Sequence, residues 1–480
     1  MKTLSDLIKN IEILNIVGVQ SKQISAICFD SRKVKPDSIF IAQNGTELDG
    51  HKYIEQSING GAVVIVCENI PLNIHTDITY IQVKDSNLAL GIIASAFYDE
   101  PTSKLKVIGI TGTNGKTTTV TLLYNLFMSL GYKVGLISTI INRINYNVLP
   151  ASHTTPDAIE LQYLFAQMVE ADCQYVFMEV SSHAIVQHRI SGINFFGGIF
   201  SNITHDHLDY HKTFAAYRDA KKTFFDLLPA TAFCLINIDD KNGLFMAQNT
   251  KAKIFTYTIN QIASFKASII ENTLEGLLLN INGIDVSTKL VGRFNAYNIL
   301  AVFATSVICG ISKEETLIGI SKLDSPDGRF NTFHLRNGST AIVDYAHTPD
   351  ALANVLSTIR DIVNNDSKII TVIGCGGNRD KTKRPEMADI ADKGSDTVII
   401  TTDNPRKEKP EDIISDMLAG ITNDDNVLVI QDRASAIKTA CHIATSKDIV
   451  VIAGKGHETY QEIDGIKHHF DDKEEVLKYC

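Results

Sequence analysis

Val107-Ile108-Gly109-Ile110-Thr111-Gly112-Thr113-Asn114-Gly115-Lys116-Thr117-Thr118 is the stretch from which this chain is read. A short apolar run breaks into glycines and then enters a helical pattern, in which Val120, Leu123, Phe127 and Leu130 recur at helical spacing before Gly131 stops it. Residues 133–138 resume an extended pattern, so the order is strand, loop, helix, strand. The loop has the chemistry of phosphate binding. Gly112 and Gly115 let consecutive backbone N–H groups turn inward, Lys116 can reach terminal phosphates, the Thr117 hydroxyl is placed for Mg²⁺, and the helix supplies its positive end. Ile110 stands where the strict phosphate-loop pattern has glycine, five residues before Gly115. The motif alone therefore leaves open a glycine-rich strand-to-helix turn that holds no nucleotide.

Gly112-Thr113-Asn114-Gly115-Lys116-Thr117-Thr118 resembles the ATP loop of the Mur ligases, the family that builds the peptide of bacterial cell-wall precursors. The rest of the chain extends that resemblance, in order. Its 480 residues are enough for three domains at about 150 residues each. With 44% hydrophobic and 21% charged residues, neither disorder nor a fibrous class is suggested. A formal net charge of −10 argues against a nucleic-acid partner, although local basic side chains can still meet anionic substrates. Eight scattered cysteines without a C-x-x-C pair look like reduced thiols. No apolar signal region opens the chain and no apolar run approaches the ~18 residues of a membrane span, so a cytoplasmic monomer without membrane insertion is expected.

The expected fold is α/β in three domains. Residues 1–103 form a small mixed α/β unit, closed by the turn-like Asp99-Glu100-Pro101-Thr102-Ser103, with strands at Ser38-Ile39-Phe40-Ile41-Ala42 and Ala62-Val63-Val64-Ile65-Val66 and a helix over 87–97. Residues 104–329 form a central parallel-sheet unit around the phosphate loop, ending in Ser325-Pro326-Asp327-Gly328-Arg329-Phe330. In residues 330–480 the strands 341–343, 369–373, 397–401, 427–430 and 449–452 alternate with helical stretches, a doubly wound Rossmann-like pattern.

Asp30-Ser31-Arg32 and the segment 45–51 resemble the parts with which tripeptide-forming Mur ligases hold the uridine diphosphate of their substrate, and Ser31 is carried over as a contact. Read without the resemblance, Ser31 is equally a turn residue. In His153-Thr154-Thr155-Pro156-Asp157, a helix cap by its own pattern, the resemblance gives Thr154 and Thr155 contacts to the muramoyl-peptide. The strand Tyr175-Val176-Phe177-Met178-Glu179 ends in an acid followed by Val180-Ser181-Ser182-His183. An acid at a strand's carboxyl end, in one unit with a phosphate loop, is the arrangement that holds or orients Mg²⁺, and Glu179 is the expected ligand. Ser181, Gln187 and Arg189 join the substrate set, Arg189 as a bidentate grip on an anion.

His205-Asp206-His207-Leu208-Asp209-Tyr210-His211 could by composition be a zinc site, though it lacks a closed set of ligand spacings. It resembles the Asp-His-Leu-Asp-Tyr-His signature of the Mur ligases, in which His207 would ligate a second Mg²⁺; His205 departs from the residue common there. In Tyr217-Arg218-Asp219-Ala220-Lys221-Lys222, Lys221 stands where the family carries a carbamylated lysine, a modification that turns an ammonium into an anionic ligand. Thr117, Glu179, His207 and Lys221 are thus the expected metal set, and Lys116, Glu179, His207 and Lys221 the catalytic one. Asn298 resembles an adenine contact, where a cap is the ordinary reading, and Arg329, Asp344 and His347 belong to the ATP set.

Cys375-Gly376-Gly377-Asn378-Arg379, Asp403-Asn404-Pro405-Arg406 and Gly454-Lys455-Gly456-His457-Glu458 all follow strands and should converge on one rim. By resemblance Arg379, Asp403, Asn404, Pro405, Arg406, Gly454 and Glu458 hold the incoming amino acid. Arg406, in Asp403-Asn404-Pro405-Arg406, matches the family's diaminopimelate motif, and lysine-adding relatives lack this arginine. The resemblance implies an ATP- and Mg²⁺-dependent ligase that adds meso-2,6-diaminopimelate to UDP-N-acetylmuramoyl-L-alanyl-D-glutamate through an acyl phosphate. Two rivals stay open. A ligase of the folylpolyglutamate synthetase type would share the loop but lack the 30–32 and 403–406 stretches, and a nucleotide-switch protein would need no convergent charges on the last unit's loops.

Overall fold

The computed structural model describes residues 1–45, 48–151, 153–363, 366–422 and 424–480, leaving aside the Asp209 side chain. Thr46 and Glu47, in the 45–51 segment, lie outside the described residues. Three large sheets succeed one another along the chain. The first has five strands in the order Ile13–Val17, Thr79–Val83, Ala62–Cys67, Ser38–Ile41, Ala26–Cys28, antiparallel only at its first pair, so it is mixed as expected.

The second sheet has eleven strands and holds the phosphate loop at its middle. Lys106–Thr111 lies between Tyr175–Glu179 and Phe195–Phe200, parallel to both. Such strands are covered on both faces and read as unbroken apolar runs. Ile108 and Ile110 enter one core with Leu122, Phe127, Ile299 and Phe303, and Val107 enters the other with Leu161, Phe165, Phe224 and Phe225. Helices Lys116–Ser129 and Arg293–Ile308 therefore cover one face, and Ala158–Glu170 and Phe214–Asp226 the opposite one.

The expected parallel sheet is antiparallel at its edges. Ile141–Ile144 and Asn147–Pro150 form a hairpin beside Val134–Ile137, and Phe265–Thr273, Gly276–Ile281 and Ile284–Thr288 form a meander at the other end. Local turn chemistry causes this: Asn282 (φ 50°) and Gly283 (φ 91°) make the two-residue, positive-φ connection that closes a tight hairpin. One outer strand is short, largely exposed and ends at Pro150, while the other carries exposed Asp285, which accepts from Asn280 Nδ2 at 2.6 Å.

The third sheet runs Asn331–His334, Thr340–Asp344, Ile449–Ala453, Ile369–Ile373, Thr397–Ile400, Val427–Val429, antiparallel only at the first pair. Its helices cover both faces, in the doubly wound pattern expected. The loops after Asp344, Ile373, Ile400 and Ala453 leave the same edge of the sheet. No helix among the described residues is long and apolar enough to cross a membrane, and all eight cysteines are free thiols.

One buried ion pair holds the far end of this unit. Arg433 Nε and Nη2 donate to the two carboxylate oxygens of Asp472 at 2.7 Å each, and Nη2 also donates to the Ala453 carbonyl at 3.1 Å, with both side chains fully buried. The pair fastens helices Arg433–Ile443 and Asp472–Leu477 to the end of strand Ile449–Ala453. Asp472→Asn or Arg433→Met should each destabilise the unit by about 3–5 kcal/mol, since each strands the other charge, while Arg433→Met/Asp472→Leu should recover most of the loss. Urea denaturation of the three variants checks this; a double variant weaker than either single one contradicts it.

Candidate active site

The phosphate loop is fixed from below by the segment after strand Phe195–Phe200. Thr113 N donates to the Asn202 carbonyl and Asn114 N to Asn202 Oδ1, both at 2.9 Å, and Thr204 N donates to Thr113 Oγ1 at 3.0 Å. The glycines are sterically required. A Cβ on Gly112 would lie 1.9 Å from Ser201 Oγ, and one on Gly115, at φ +83°, would lie 2.5 Å from Asn298 Oδ1. Gly115 starts helix Lys116–Ser129 without a side-chain cap, which leaves the first N–H groups and the positive helix end facing the cavity. Asn298 is no cap: it lies inside helix Arg293–Ile308, its Oδ1 accepting from Thr119 Oγ1 at 3.3 Å and its Nδ2 donating to Asn295 Oδ1 at 3.0 Å.

Lys116 Nζ folds back on the Gly112 and Thr113 carbonyls, 2.9 Å from each. Lys221, whose side chain is buried in helix Phe214–Asp226, donates to the same Gly112 carbonyl at 2.8 Å and lies over the Tyr217 ring. Burial pushes the Lys116 ammonium below the ordinary lysine range; burial, then the charge of Lys116, pushes Lys221 well below it. Lys222 instead donates to Asp226, 2.6 and 2.8 Å from its two oxygens.

Glu179, buried at its strand end, collects donors from two elements. Thr117 Oγ1 donates to Oε1 at 2.9 Å, Thr139 N to Oε1 at 2.8 Å and Thr139 Oγ1 to Oε2 at 3.2 Å. Thr139 also donates to Thr154 Oγ1 at 3.1 Å. Sequence reasoning passed over Thr139, although it follows strand Val134–Ile137 and so obeys the strand-end rule that selected Glu179. The Thr155 hydroxyl is spent within the fold, donating to the Glu179 carbonyl at 2.8 Å and accepting from Ser181 N at 3.1 Å. Ser181 caps helix Ser182–Val186. Arg189 donates to the Thr155 carbonyl at 2.8 Å and to Gln187 Oε1 at 2.9 Å, and Gln187 donates to Tyr210 OH at 3.2 Å.

His207, at φ 54°, heads the short helix Leu208–His211, with the ring of His183 4.9 Å away. Burial pushes its imidazole down to about 4, against the pull of Asp206, so the ring is neutral near pH 7 and offers a nitrogen lone pair. Among the described residues no three His, Cys, Asp or Glu side chains gather as a metal-holding group, which leaves the zinc reading without support. His205 is exposed.

The last unit closes over this wall. Arg329 Nη2 donates to Thr117 Oγ1 at 3.3 Å, its guanidinium lies 4.6 Å from the Tyr345 ring centre, and its buried Nε has no partner. Asp344, buried, accepts from Phe330 N and Ala346 N at 2.7 Å each and so shapes the linker that presents Arg329. Asn114 Nδ2 donates to Asp350 Oδ2 at 2.6 Å, Thr204 Oγ1 to the same oxygen at 3.2 Å, and Lys383 Nζ lies 2.6 Å from Asp206 Oδ1. Burial alone would raise the Asp206 carboxyl, but His207 and Lys383 together hold it well below the usual carboxylate range. Lys383 and Asp350 were legible only as polar residues near strand-end loops, since their partners are remote in sequence.

Across the cavity, Arg406 takes a left-handed backbone (φ 54°) that is pinned on both sides, its N–H donating to the Glu462 carbonyl at 2.9 Å and its carbonyl accepting from Asp464 N at 2.7 Å. Its Nη1 donates to the Gly377 carbonyl at 2.7 Å. Beneath the Gly376-Gly377 loop, buried Arg384 grips both oxygens of Glu408 at 3.0 Å and Asp416 at 2.8 Å. Asn404 Nδ2 donates to Glu458 Oε2 at 2.7 Å. The loop residues 113–118, with Thr154, Glu179, Ser181, His207, Arg329 and His347, face Arg379, Asp403, Asn404, Arg406, Gly454 and Glu458 across one cavity of about 780 Å³. Ser31, whose hydroxyl donates to Gln56 Oε1 at 3.1 Å, is outside its lining, as are Gly112, Thr155, Gln187, Arg189, Lys221, Asn298, Asp344 and Pro405.

Comparison with known proteins follows this geometry. Residues 23–98 match the catalytic domain of the Mur ligase family, 110–306 the Mur ligase middle domain, and 328–456 the glutamate ligase domain of Mur ligases. The UDP-N-acetylmuramoyl-L-alanyl-D-glutamate–2,6-diaminopimelate ligases of Phocaeicola vulgatus and Cytophaga hutchinsonii are 54% and 55% identical to the chain, each over 98% of it and over 98% and 97% of their own lengths. A solved structure of a ligase of that name is 32% identical, with a TM-score of 0.71 over 100% of this chain and 98% of the other.

The two polar tethers, Asn114–Asp350 and Asp206–Lys383, define a closed arrangement that small-angle X-ray scattering can read. Asp350→Ala/Lys383→Ala should enlarge the radius of gyration without changing the circular dichroism spectrum. The unmodified chain should stay compact in mild acid, because a carboxyl held low keeps its charge, and its stabilising contribution, until the pH falls through that lowered pKa. An unchanged radius in the double variant contradicts the tether.

Proposed function

The chain belongs to the Mur ligase family, and on that premise we propose that it uses ATP to join the glutamyl carboxylate of UDP-N-acetylmuramoyl-L-alanyl-D-glutamate to an amino group of meso-2,6-diaminopimelate, in peptidoglycan precursor synthesis. The observation that carries this reading is the single cavity with a phosphate loop on one wall and Arg406, Asn404 and Glu458 on the other. Residues 1–103 are the uridine-diphosphate unit, with Ser31 in it, 104–329 the ATP unit and 330–480 the amino-acid unit. The rival reading of a folylpolyglutamate-type ligase leaves the 30–32 and 403–406 stretches, present in this chain, without an account.

The residues fit the groups they would hold. The uncapped helix start at Gly115 suits phosphate, Asn298 lies beneath Gly115 and is the residue we assign to the adenine by resemblance, and Thr117 Oγ1 with Glu179 offers oxygen ligands of the kind Mg²⁺ takes. His207 adds a neutral nitrogen, and Lys221 becomes a ligand once carbamylated, a change its suppressed charge favours because the neutral amine is the form that adds CO₂. When bound, Mg²⁺ neutralises charge on the transferring phosphoryl group.

The chain's own part is electrostatic and positional. A substrate carboxylate and a polyphosphate repel each other, and Lys116 from the phosphate loop and Arg329 from the linker to the last unit bring fixed positive charge to the point where they meet. The acyl phosphate that forms loses phosphate to attack by the amine. The Asn114–Asp350 and Asp206–Lys383 bonds draw the last unit down so that water is kept out meanwhile. Thr154 and Ser181 line the cavity where the peptide would enter, Gln187 and Arg189 stand behind them through the Thr155 carbonyl, and Thr155 holds Glu179 and Ser181 in place. At the far end, Arg406 and Arg379 take the distal carboxylate and Glu458 the distal ammonium.

A coupled phosphate-release assay with the UDP-muramoyl-dipeptide and a panel of amino acids tests the whole reading. L-Lysine lacks the distal carboxylate that Arg406 would grip, which should cost about 10²-fold or more in kcat/KM against meso-diaminopimelate, and Arg406→Ala should lose most of that difference. Equal kcat/KM for the two amino acids in the unmodified enzyme overturns the assignment. In the same assay Lys221→Ala should be nearly inactive and partly restored by acetate or formate, while Lys222→Ala, which removes only the Asp226 pair, should turn over; the reverse behaviour would assign the carbamate to Lys222.

A further inference from the structure

Lys455 has no role in the reading above, yet it is buried completely beside the three loops that receive the amino acid. Its ammonium lies 3.2 Å from Glu458 Oε2 and 3.5 Å from Asn404 Oδ1 and donates to the Tyr460 carbonyl at 2.5 Å, so its three N–H donors are all engaged. Asn404 is thereby oriented: its Oδ1 faces Lys455 and accepts from Glu462 N at 2.8 Å, and its Nδ2 faces Glu458. Every polar group that Lys455 touches is itself a wall of the amino-acid site or its support, and at zero exposure the ammonium cannot touch a substrate. It can act only through them.

We propose that Lys455 is a positioning residue for the distal end of the incoming amino acid, keeping the Glu458 carboxylate ionised and the Asn404 amide turned toward it. This rests on the function proposed above. The reason is a charge count. Glu458 and Asp403 are two carboxylates in one half-closed corner, and Tyr345 and buried Arg433 are the other titratable groups that face Glu458. Burial first and Asp403 second push the Glu458 carboxyl up, and Lys455 opposes both. With Lys455 in place, one negative charge of the two remains uncompensated, the complement of a single distal ammonium. Without it, burial and Asp403 push the Glu458 carboxyl further up, which weakens its hold on the ammonium and on the Asn404 amide.

The test varies meso-diaminopimelate at saturating ATP and UDP-muramoyl-dipeptide, from pH 6 to 9, in Lys455→Met, Lys455→Gln, Glu458→Gln and Lys455→Met/Glu458→Gln. Lys455→Met should raise the KM for meso-diaminopimelate about tenfold or more while the KM values for the other two substrates stay within about twofold. The acid limb of its kcat/KM profile should move to higher pH. The double variant should be no worse than Glu458→Gln alone, since Lys455 acts through the Glu458 carboxylate, which both variants lack. Lys455→Gln, which keeps donors but no charge, should resemble Lys455→Met and stands in if the methionine variant fails to fold. An unchanged KM and acid limb, or equal losses for all three substrates, overturns the positioning role. If the unmodified enzyme does not turn over meso-diaminopimelate, the function proposed above is what has failed.

Discussion

One carbonyl oxygen, that of Gly112, receives two ammonium groups, Lys116 at 2.9 Å and Lys221 at 2.8 Å, and much of the molecule is arranged around that crowding. Two buried cations at one acceptor are a poor resting state. Burial lowers both, Lys116 lowers Lys221 further, and either would gain by meeting an anion. On the function proposed above, polyphosphate at the helix start would relieve Lys116, and a carbamate would convert Lys221 from a repelled cation into an attracted ligand. The same tension explains why Glu179 and Asp206 are buried close by and why both are fully hydrogen-bonded or ion-paired. The site is built to be incomplete without anions.

The central strands, their helices and the doubly wound last unit were legible because buried parallel strands write themselves as apolar runs and helices as 3.6-residue repeats. The edge hairpins were not, although Asn282-Gly283 is a strong hairpin signal, because a turn pair names a local connection and not the sheet edge that it joins. At the site, residues that the resemblance named, such as Glu179 and Arg406, do face one cavity. What the sequence could not supply were partners. Thr139 on Glu179, Asp350 on Asn114, Lys383 on Asp206 and Lys455 on Glu458 lie from 3 to 236 positions apart, and only the fold brings them together. The ordinary readings of Ser181 as a helix cap and Thr155 as a buried hydroxyl hold in the structure, beside whatever they do for a substrate.

The linker is more than a hinge between two units. Gly328 and Phe330 take positive φ on either side of Arg329, and Asp344 anchors the backbone at Phe330 and Ala346. An arginine held this way reports, at the phosphate loop, where the last unit stands. The charge at the loop is thus tied by covalent continuity to the position of the last unit, because the residue that reaches Thr117 is the one that leads into that unit. That arrangement suits an enzyme that must not spend its phosphoryl donor on water before all substrates are in place.

The hairpins at the two rims of the eleven-stranded sheet have a consequence for how the protein lives among its own copies. A wide parallel sheet has two open ladders that invite a further strand from a neighbouring molecule. Here one ladder ends in a short, solvent-facing strand whose last residue, Pro150, has no N–H to offer, and the other in a strand carrying the carboxylate of Asp285. The loop at the sheet's centre can therefore stay open to large anionic ligands while the margins refuse recruitment, which keeps a very broad sheet from seeding fibres at the concentrations a biosynthetic enzyme reaches.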